Sequence, residues 1–172
     1  MALLLVFWGV LTNLLATMQT PAFIAKIALG LLTAAVGLWL WPQLLKPSNA
    51  RRARVLAVAA PTALVWLWAL LGTDTPVLSQ AMGGMWSTCS VSIAALALPV
   101  WLGLMWHAQR CAPTQLRRAG AVSGAIAGGL GAAVYSLYCP VFDAGYIAVW
   151  YVLGIGACVA VGAWLGPRAM RW

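Results

Sequence analysis

Acidic residues are almost absent from this 172-residue sequence. It has two, Asp74 and Asp143, and a single histidine, His107. A proton-coupled transporter usually buries carboxylates in its membrane spans, and a hydrolase needs a positioned acid, base or nucleophile set. A bis-histidine haem needs two histidines. The sequence therefore predicts a protein that is neither a proton-coupled transporter nor an enzyme, and that carries no cofactor.

Charge of either sign is scarce, and apolar residues take its place. Charged residues make up 7% of the chain and hydrophobic residues 64%, and the mean hydropathy is +0.94. Soluble domains have about 25% charged residues. With so little material for a solvated surface, the sequence predicts an integral membrane protein.

Six apolar stretches approach the length of about twenty residues that a spanning helix needs. No basic residue precedes the first stretch, so we expect no cleaved signal peptide. The chain is predicted to be all-α, a single transmembrane domain over 1–172 forming a six-helix bundle. The expected spans are 3–19, 23–44, 55–72, 88–107, 119–138 and 146–166.

The basic residues fall in alternate loops. Because lysines and arginines in short loops mark the cytoplasmic side, the N- and C-termini are both predicted to be cytoplasmic. Lys26 lies alone near the opposite face, where we expect it to snorkel to the headgroups. The net charge of +8 then reflects topology and contact with anionic lipid, and no loop is long enough to read nucleic acid. The predicted cytoplasmic residues are Lys46, Arg51, Arg52, Arg54, Arg110, Arg117, Arg118, Arg168 and Arg171.

Eight of the tryptophans fall near span ends, as interfacial anchors do. The predicted cytoplasmic belt contains Trp39, Trp41, Trp106 and Trp164, and the outer belt contains Trp66, Trp68, Trp86 and Trp150. His107 is likewise expected at the cytoplasmic interface.

Small residues recur every fourth position in the last two spans. Such stripes allow close helix packing in lipid, so we expect these spans to pack against each other or against a second chain, as in a homo-oligomer. The stripes are Gly120, Gly124, Gly128, Ala132 and Ser136 in span five, and Gly154, Cys158, Gly162 and Gly166 in span six.

Two of the four cysteines are predicted at the same membrane depth. Cys89 begins span four and Cys139 ends span five, both at the outer face. In an oxidising compartment they can form a disulfide, as thiols they can bind a soft cation such as Cu(I), or they are simply two unconnected cysteines. Cys158 is interpreted as a packing residue and Cys111 as an ordinary loop thiol.

The C-terminal part of the sequence resembles the NrsF family, six-helix inner-membrane anti-sigma factors of proteobacteria. The resemblance covers roughly 20–172 and is strongest at the two cysteines and the terminal Arg-Trp. Its motifs include Trp86-x-x-Cys89, Pro99, Ala112-Pro113, Tyr138-Cys139-Pro140, Trp150-Tyr151, Gly154-Ile155, Gly166-Pro167-Arg168 and Met170-Arg171-Trp172.

The resemblance implies a protein of the bacterial inner membrane that sequesters an extracytoplasmic-function sigma factor. It implies release of that factor under metal or oxidative stress, with Cys89 and Cys139 as the sensing pair or as metal ligands. Spans five and six would carry the change to the cytoplasmic side. Family members often have a histidine before the second cysteine, where Tyr138 stands, and acidic residues after its proline, where Val141 and Phe142 stand. They also usually carry a cytoplasmic segment before the first span. The alternative from the residues alone is a small metal-handling or transport protein with the cysteines at its entry site.

Overall fold

The computed structural model describes residues 19–45, 57–72, 86–111, 113 and 115–169. All regular structure in these residues is helical. Helix α1 is Pro21–Leu45, and a 3₁₀ turn at Ala57–Ala59 leads into α2, Ala60–Leu71. Helix α3 is Trp86–Cys111, α4 is Leu116–Ser136, and α5 is Ala144–Ala169, which contains a π-helical turn at Ile147–Tyr151.

Four of these helices are long and apolar enough to cross a membrane: α1, the Thr88–Cys111 part of α3, α4 and α5. They correspond to predicted spans two, four, five and six, with ends that differ by a few residues. Predicted span three is helical over the shorter stretch Ala57–Leu71, where Pro61 starts α2. Predicted span one lies outside the described residues.

Helix α4 is the central element of the bundle. Most of its residues are buried, although most of its side chains are small. Apart from Tyr135, its largest apolar side chains are those of leucine and isoleucine, such as Ile126 and Leu130. Its glycines explain this position, because without a side chain they let neighbouring backbones approach. Gly129 contacts α1 at Gly30, and Gly131 contacts α3 at the carbonyl of Ile93.

The packing of α4 against α5 confirms the prediction from the small-residue stripes. A methyl group on Gly120 would overlap the carbonyl oxygen of Gly162, and one on Gly124 would overlap that of Cys158. Cys158 also contacts Gly128, whose added Cβ would lie 3.0 Å from the Cys158 Cβ. Cys158 is therefore a packing residue, as the sequence predicts.

The bundle core has two clusters at opposite ends. We call the first the cysteine end: it contains Cys89 and Cys139 with the start of α1 and the start of α5. The second, the basic end, is formed by the last turns of α1 and α3, the first turns of α4 and, at its edge, Ala169. Gln109 donates from its side-chain amide to the Ala169 carbonyl over 2.7 Å, which joins the ends of α3 and α5.

The tryptophans only partly follow the predicted belts. Trp39, Trp106 and Trp164 are about 60% exposed, as interfacial anchors should be, but Trp41 is 7% exposed. The interfacial interpretation of Trp41 is wrong, because its side chain packs in the core of the basic end with Leu40 and Leu44.

A buried thiol pair beside a lysine

The structure brings the two predicted sensing cysteines together. Cys89 lies in the first turn of α3 and Cys139 lies three residues after α4. Both are 0% exposed thiols. They belong to one buried cluster. Neither is joined by a disulfide in this structure, so the pair is held by the packing of α3 against α4.

The end of α4 places Cys139 by a tight turn. The amide of Cys139 donates to the carbonyl of Tyr135 over 3.0 Å, and that of Tyr138 donates to the same carbonyl. Pro140 follows and cannot donate to a continuing helix. The chain then runs to Asp143, which is extended and exposed, before α5 begins. The Tyr138-Cys139-Pro140 sequence thus turns the Cys139 thiol inward while the loop beyond it reaches the surface.

Lys26 completes the site, and its predicted snorkelling is wrong. The side chain is 0% exposed and its Nζ donates to the carbonyl oxygen of Cys139 over 3.1 Å. The same Nζ lies 4.3 Å from the centre of the Phe142 ring and 5.6 Å from that of Tyr151. A buried ammonium is costly unless hydrogen bonds and ring faces replace its water, and here the loop after Cys139 supplies both.

Three buried tyrosines surround the thiols. The hydroxyls of Tyr146 and Tyr135 interact with the Cys89 thiol, and Tyr151 is a neighbour of the Cys139 thiol. The centres of the Tyr135 and Tyr151 rings are 6.0 Å apart, and the two ring planes are tilted by 47° to each other. In the described part of the chain, the Tyr151 hydroxyl and the Ser92 hydroxyl are buried and make no hydrogen bond. The site thus holds two thiols, one ammonium and several donors in an apolar shell.

A π-helical turn at Ile147–Tyr151 lies directly beside the thiols. Each π turn takes one more residue than an α turn and rotates the following side chains, and such turns often occur at functional sites. Tyr146, Ile147 and Tyr151 are all buried on the inner side. Ser90 donates its hydroxyl to the Trp150 carbonyl over 3.3 Å, which ties α3 to this turn next to Cys89.

The basic end carries exposed arginines stacked on tryptophans. The Arg110 guanidinium lies 3.8 Å from the ring centre of Trp106, and that of Arg168 lies 4.4 Å from the ring centre of Trp164. The Cys111 sulfur lies 3.9 Å from His107 Nε2 at the same end. Cys111 is the last residue of α3 rather than a loop residue, which corrects the sequence-based interpretation. The basic residues predicted between spans two and three lie outside the described residues: Lys46, Arg51, Arg52 and Arg54.

Two site features were missed by sequence reasoning. Lys26 is the only lysine within a predicted span, which is itself a signal for a functional residue, but the nearby headgroups offered a simpler explanation. The tyrosines carried no signal, since four tyrosines in 172 residues show no spacing that links them to the cysteines. For metal binding, the described residues hold no group of three or more His, Cys, Asp or Glu side chains.

Four long apolar helices, a buried thiol pair at one end and exposed arginines at the other are the features of a helical membrane protein. The family model of NrsF, negative regulator of sigma F, matches residues 1–172. The chain belongs to the NrsF family.

Two curated relatives match over 90 residues, which is 52% of this chain and 42% of each relative. The probable anti-sigma-F factor NrsF of Azospira oryzae is 40% identical to the chain over that segment. The anti-sigma-F factor NrsF of Caulobacter vibrioides is 37% identical. The matched segment thus spans under half the length of these relatives. No solved structure shows significant similarity to the chain.

Proposed function

We propose that this chain is a membrane-embedded anti-sigma factor that sequesters an extracytoplasmic-function sigma factor and releases it when Cys89 and Cys139 react with a metal or an oxidant. Family membership supports the regulatory role, and the names of the two relatives support a sigma factor as the partner. The observation that carries the sensing role is that both thiols belong to one cluster at the same end of the bundle.

The proposed topology is a six-span bundle in the bacterial inner membrane with both termini in the cytoplasm. The described arginines support this orientation, because Arg110, Arg117, Arg118 and Arg168 all lie at or beside the ends of helices that meet at the basic end. Short basic segments face the cytoplasm. The cysteine end would then face the periplasm, where thiols meet oxidants and metals first.

The proposed relay runs through the α4–α5 contact. Cys139 follows α4 directly, and the π turn of α5 borders the thiol pair. From there α4 and α5 lie backbone to backbone as far as Leu116 and Gly166 at the basic end. Since this contact has no room for side-chain adjustment, a displacement at the cysteine end moves the two helices together. A signal can shift the equilibrium only if it binds the two states differently, and a metal bridge or disulfide between the thiols meets that condition.

The decisive experiment is co-purification from detergent with the candidate sigma factor. Both the 172-residue chain and a version extended to any upstream in-frame start are used, because relatives are longer than the matched segment. Capture that is lost on adding a thiophilic metal or an oxidant supports the proposal. Capture by the extended version alone would assign the sigma contact to the added segment. If neither version captures the factor under reducing, metal-free conditions, the anti-sigma proposal is wrong.

Serine substitutions test the sensing role. We expect Cys89→Ser and Cys139→Ser each to keep sigma-factor capture and to abolish its release, because either change removes one of two sulfurs. Cys111→Ser is the matched control, since Cys111 lies at the basic end. A reporter driven by the sigma factor should stay off in both test variants under stress and respond normally in the control. A normal response in Cys89→Ser would contradict the proposed pair.

A further inference from the structure

The thiol pair shares its enclosure with one fixed positive charge. Lys26 is fully buried, and its Nζ is held by the Cys139 carbonyl at 3.1 Å and by the Phe142 ring at 4.3 Å. The hydrogen bond fixes the ammonium beside Cys139, and Cys89 lies in the same buried cluster as Cys139. Asp143, the one carboxylate side chain among the described residues, is exposed, so water screens its attraction to the ammonium. The ammonium therefore acts mainly on whatever charge the thiols carry.

The shell around the two sulfurs favours a low coordination number. Cys89 and Cys139 are both 0% exposed, and their neighbours are apolar side chains and tyrosines. Among the described residues no third His, Cys, Asp or Glu side chain joins the pair. A structural Zn²⁺ site normally has four ligands, whereas soft thiolates select ions such as Cu(I), for which two sulfurs are sufficient. The ligand count thus points to a soft ion for which two sulfur ligands are sufficient.

The charge balance distinguishes monovalent from divalent ions at this site. Binding of a metal ion by two thiols releases two protons and leaves two thiolates on the metal. A monovalent ion then gives a complex of charge −1, which the Lys26 ammonium neutralises. A divalent ion gives a neutral complex and leaves the ammonium without a counter-charge. The neutral divalent complex leaves the ammonium as it is in the metal-free site, held only by the carbonyl and the ring faces. Opposite charges attract strongly in a low-dielectric interior, so only the monovalent complex is stabilised by Lys26.

We propose that Lys26 makes the Cys89–Cys139 pair selective for a soft monovalent metal cation, with the ammonium as the counter-charge of an anionic bis-thiolate complex. This inference rests on the proposed function, since it assigns the ligand of the proposed sensing pair. The tyrosines fit the same complex. Tyr146 interacts with the Cys89 thiol, and the buried Tyr151 hydroxyl lies beside the Cys139 thiol. Both hydroxyls can donate to sulfurs that carry negative charge.

The test compares silver(I), a monovalent probe stable in air, with cadmium(II) on the full chain in detergent. Affinities are measured by competition with a soluble thiol chelator. Lys26→Gln removes the charge and keeps a donor for the Cys139 carbonyl, and Lys26→Arg keeps the charge. We expect the ratio of silver to cadmium association constants to fall at least about tenfold in Lys26→Gln. The reason is that removing a unit charge so close to the anionic complex changes its stability by more than this factor, even in a partly polar interior. Lys26→Arg should restore most of the ratio.

The outcomes separate this inference from the proposed function. An unchanged ratio in folded Lys26→Gln overturns the role of Lys26 and leaves the thiol pair as the site. Silver binding that survives both Cys89→Ser and Cys139→Ser overturns the site itself. Helical circular dichroism checks folding, and Arg168→Gln, which removes a charge at the basic end, should leave the ratio unchanged. If Lys26→Gln does not fold, a low ratio in Lys26→Met supports the inference and a wild-type ratio overturns it.

Discussion

At the scale of single residues, the site combines groups that are rare inside a membrane bundle. Lys26 is tolerated because a carbonyl oxygen and two aromatic rings surround its ammonium. Cys139 supplies that carbonyl while its thiol faces the cluster, so one residue both holds the lysine and bears a proposed reactive group. Any chemistry at the Cys139 sulfur therefore acts on the contact between α1 and the loop after α4.

Tyr151 offers a sharp test of the buried hydroxyls. Its hydroxyl is buried without a hydrogen bond in the described residues, so Tyr151→Phe removes an unsatisfied polar group and keeps the ring. We expect the metal-free protein to be as stable as the wild type or more stable, because such a group costs about 1–3 kcal/mol. Thermal unfolding in detergent measures this.

The matched comparison is Tyr146→Phe, which removes a hydroxyl that interacts with Cys89. This change should lower stability by about 1 kcal/mol. A Tyr151→Phe protein that unfolds at a lower temperature than Tyr146→Phe would show that the Tyr151 hydroxyl is satisfied in solution.

At the scale of helices, the bundle depends on glycines whose added side chain would meet backbone. Gly124 lies against the carbonyl of Cys158, whereas nothing lies within 4 Å of a Cβ on Gly156. We expect Gly124→Ala to push α4 and α5 apart and to cost about 1–3 kcal/mol, as overpacking does. Gly156→Ala, on the same helix pair and with the same chemical change, should be neutral.

The measurements are thermal unfolding and the reporter response. If the α4–α5 contact relays the signal, Gly124→Ala should also weaken the response of the reporter to metal or oxidant. Equal unfolding temperatures for Gly124→Ala and Gly156→Ala would contradict the close backbone contact.

Sequence patterns predicted the elements better than the contacts. The period-four stripes predicted the α4–α5 pair because both helices repeat small residues at one spacing. The contact of α1 with α4 was not predicted, since Gly30 and Gly37 are seven residues apart and the partner of Gly30, Gly129, lies outside the stripe. The antiparallel hairpin of spans four and five likewise predicted that Cys89 and Cys139 lie at the same membrane depth. The burial of Lys26 depends on the loop conformation at Phe142, which no periodicity encodes.

At the scale of the whole molecule, the two ends differ in chemistry. The cysteine end holds the thiols, the buried lysine and an exposed Asp143, and the basic end exposes Arg110, Arg117 and Arg168. This asymmetry is what the positive-inside rule uses to orient a bundle. A proposed sensor also needs it, because the signal enters on one side of the membrane and the partner binds on the other.

Labelling of single cysteines tests this orientation. Asp143 and Arg117 are both exposed and lie at opposite ends of α4. In a background with Cys111→Ser and Cys158→Ala, a membrane-impermeant maleimide added to intact spheroplasts should label Asp143→Cys. It should label Arg117→Cys only after lysis. Cys89 and Cys139 are retained in this background and are buried. The parent protein without either new cysteine measures how much label they take up.

Labelling of Arg117→Cys in intact spheroplasts, with Asp143→Cys protected, would show that the bundle has the opposite orientation. The thiol pair would then face the reducing cytoplasm, and sensing of periplasmic stress by Cys89 and Cys139 would be excluded.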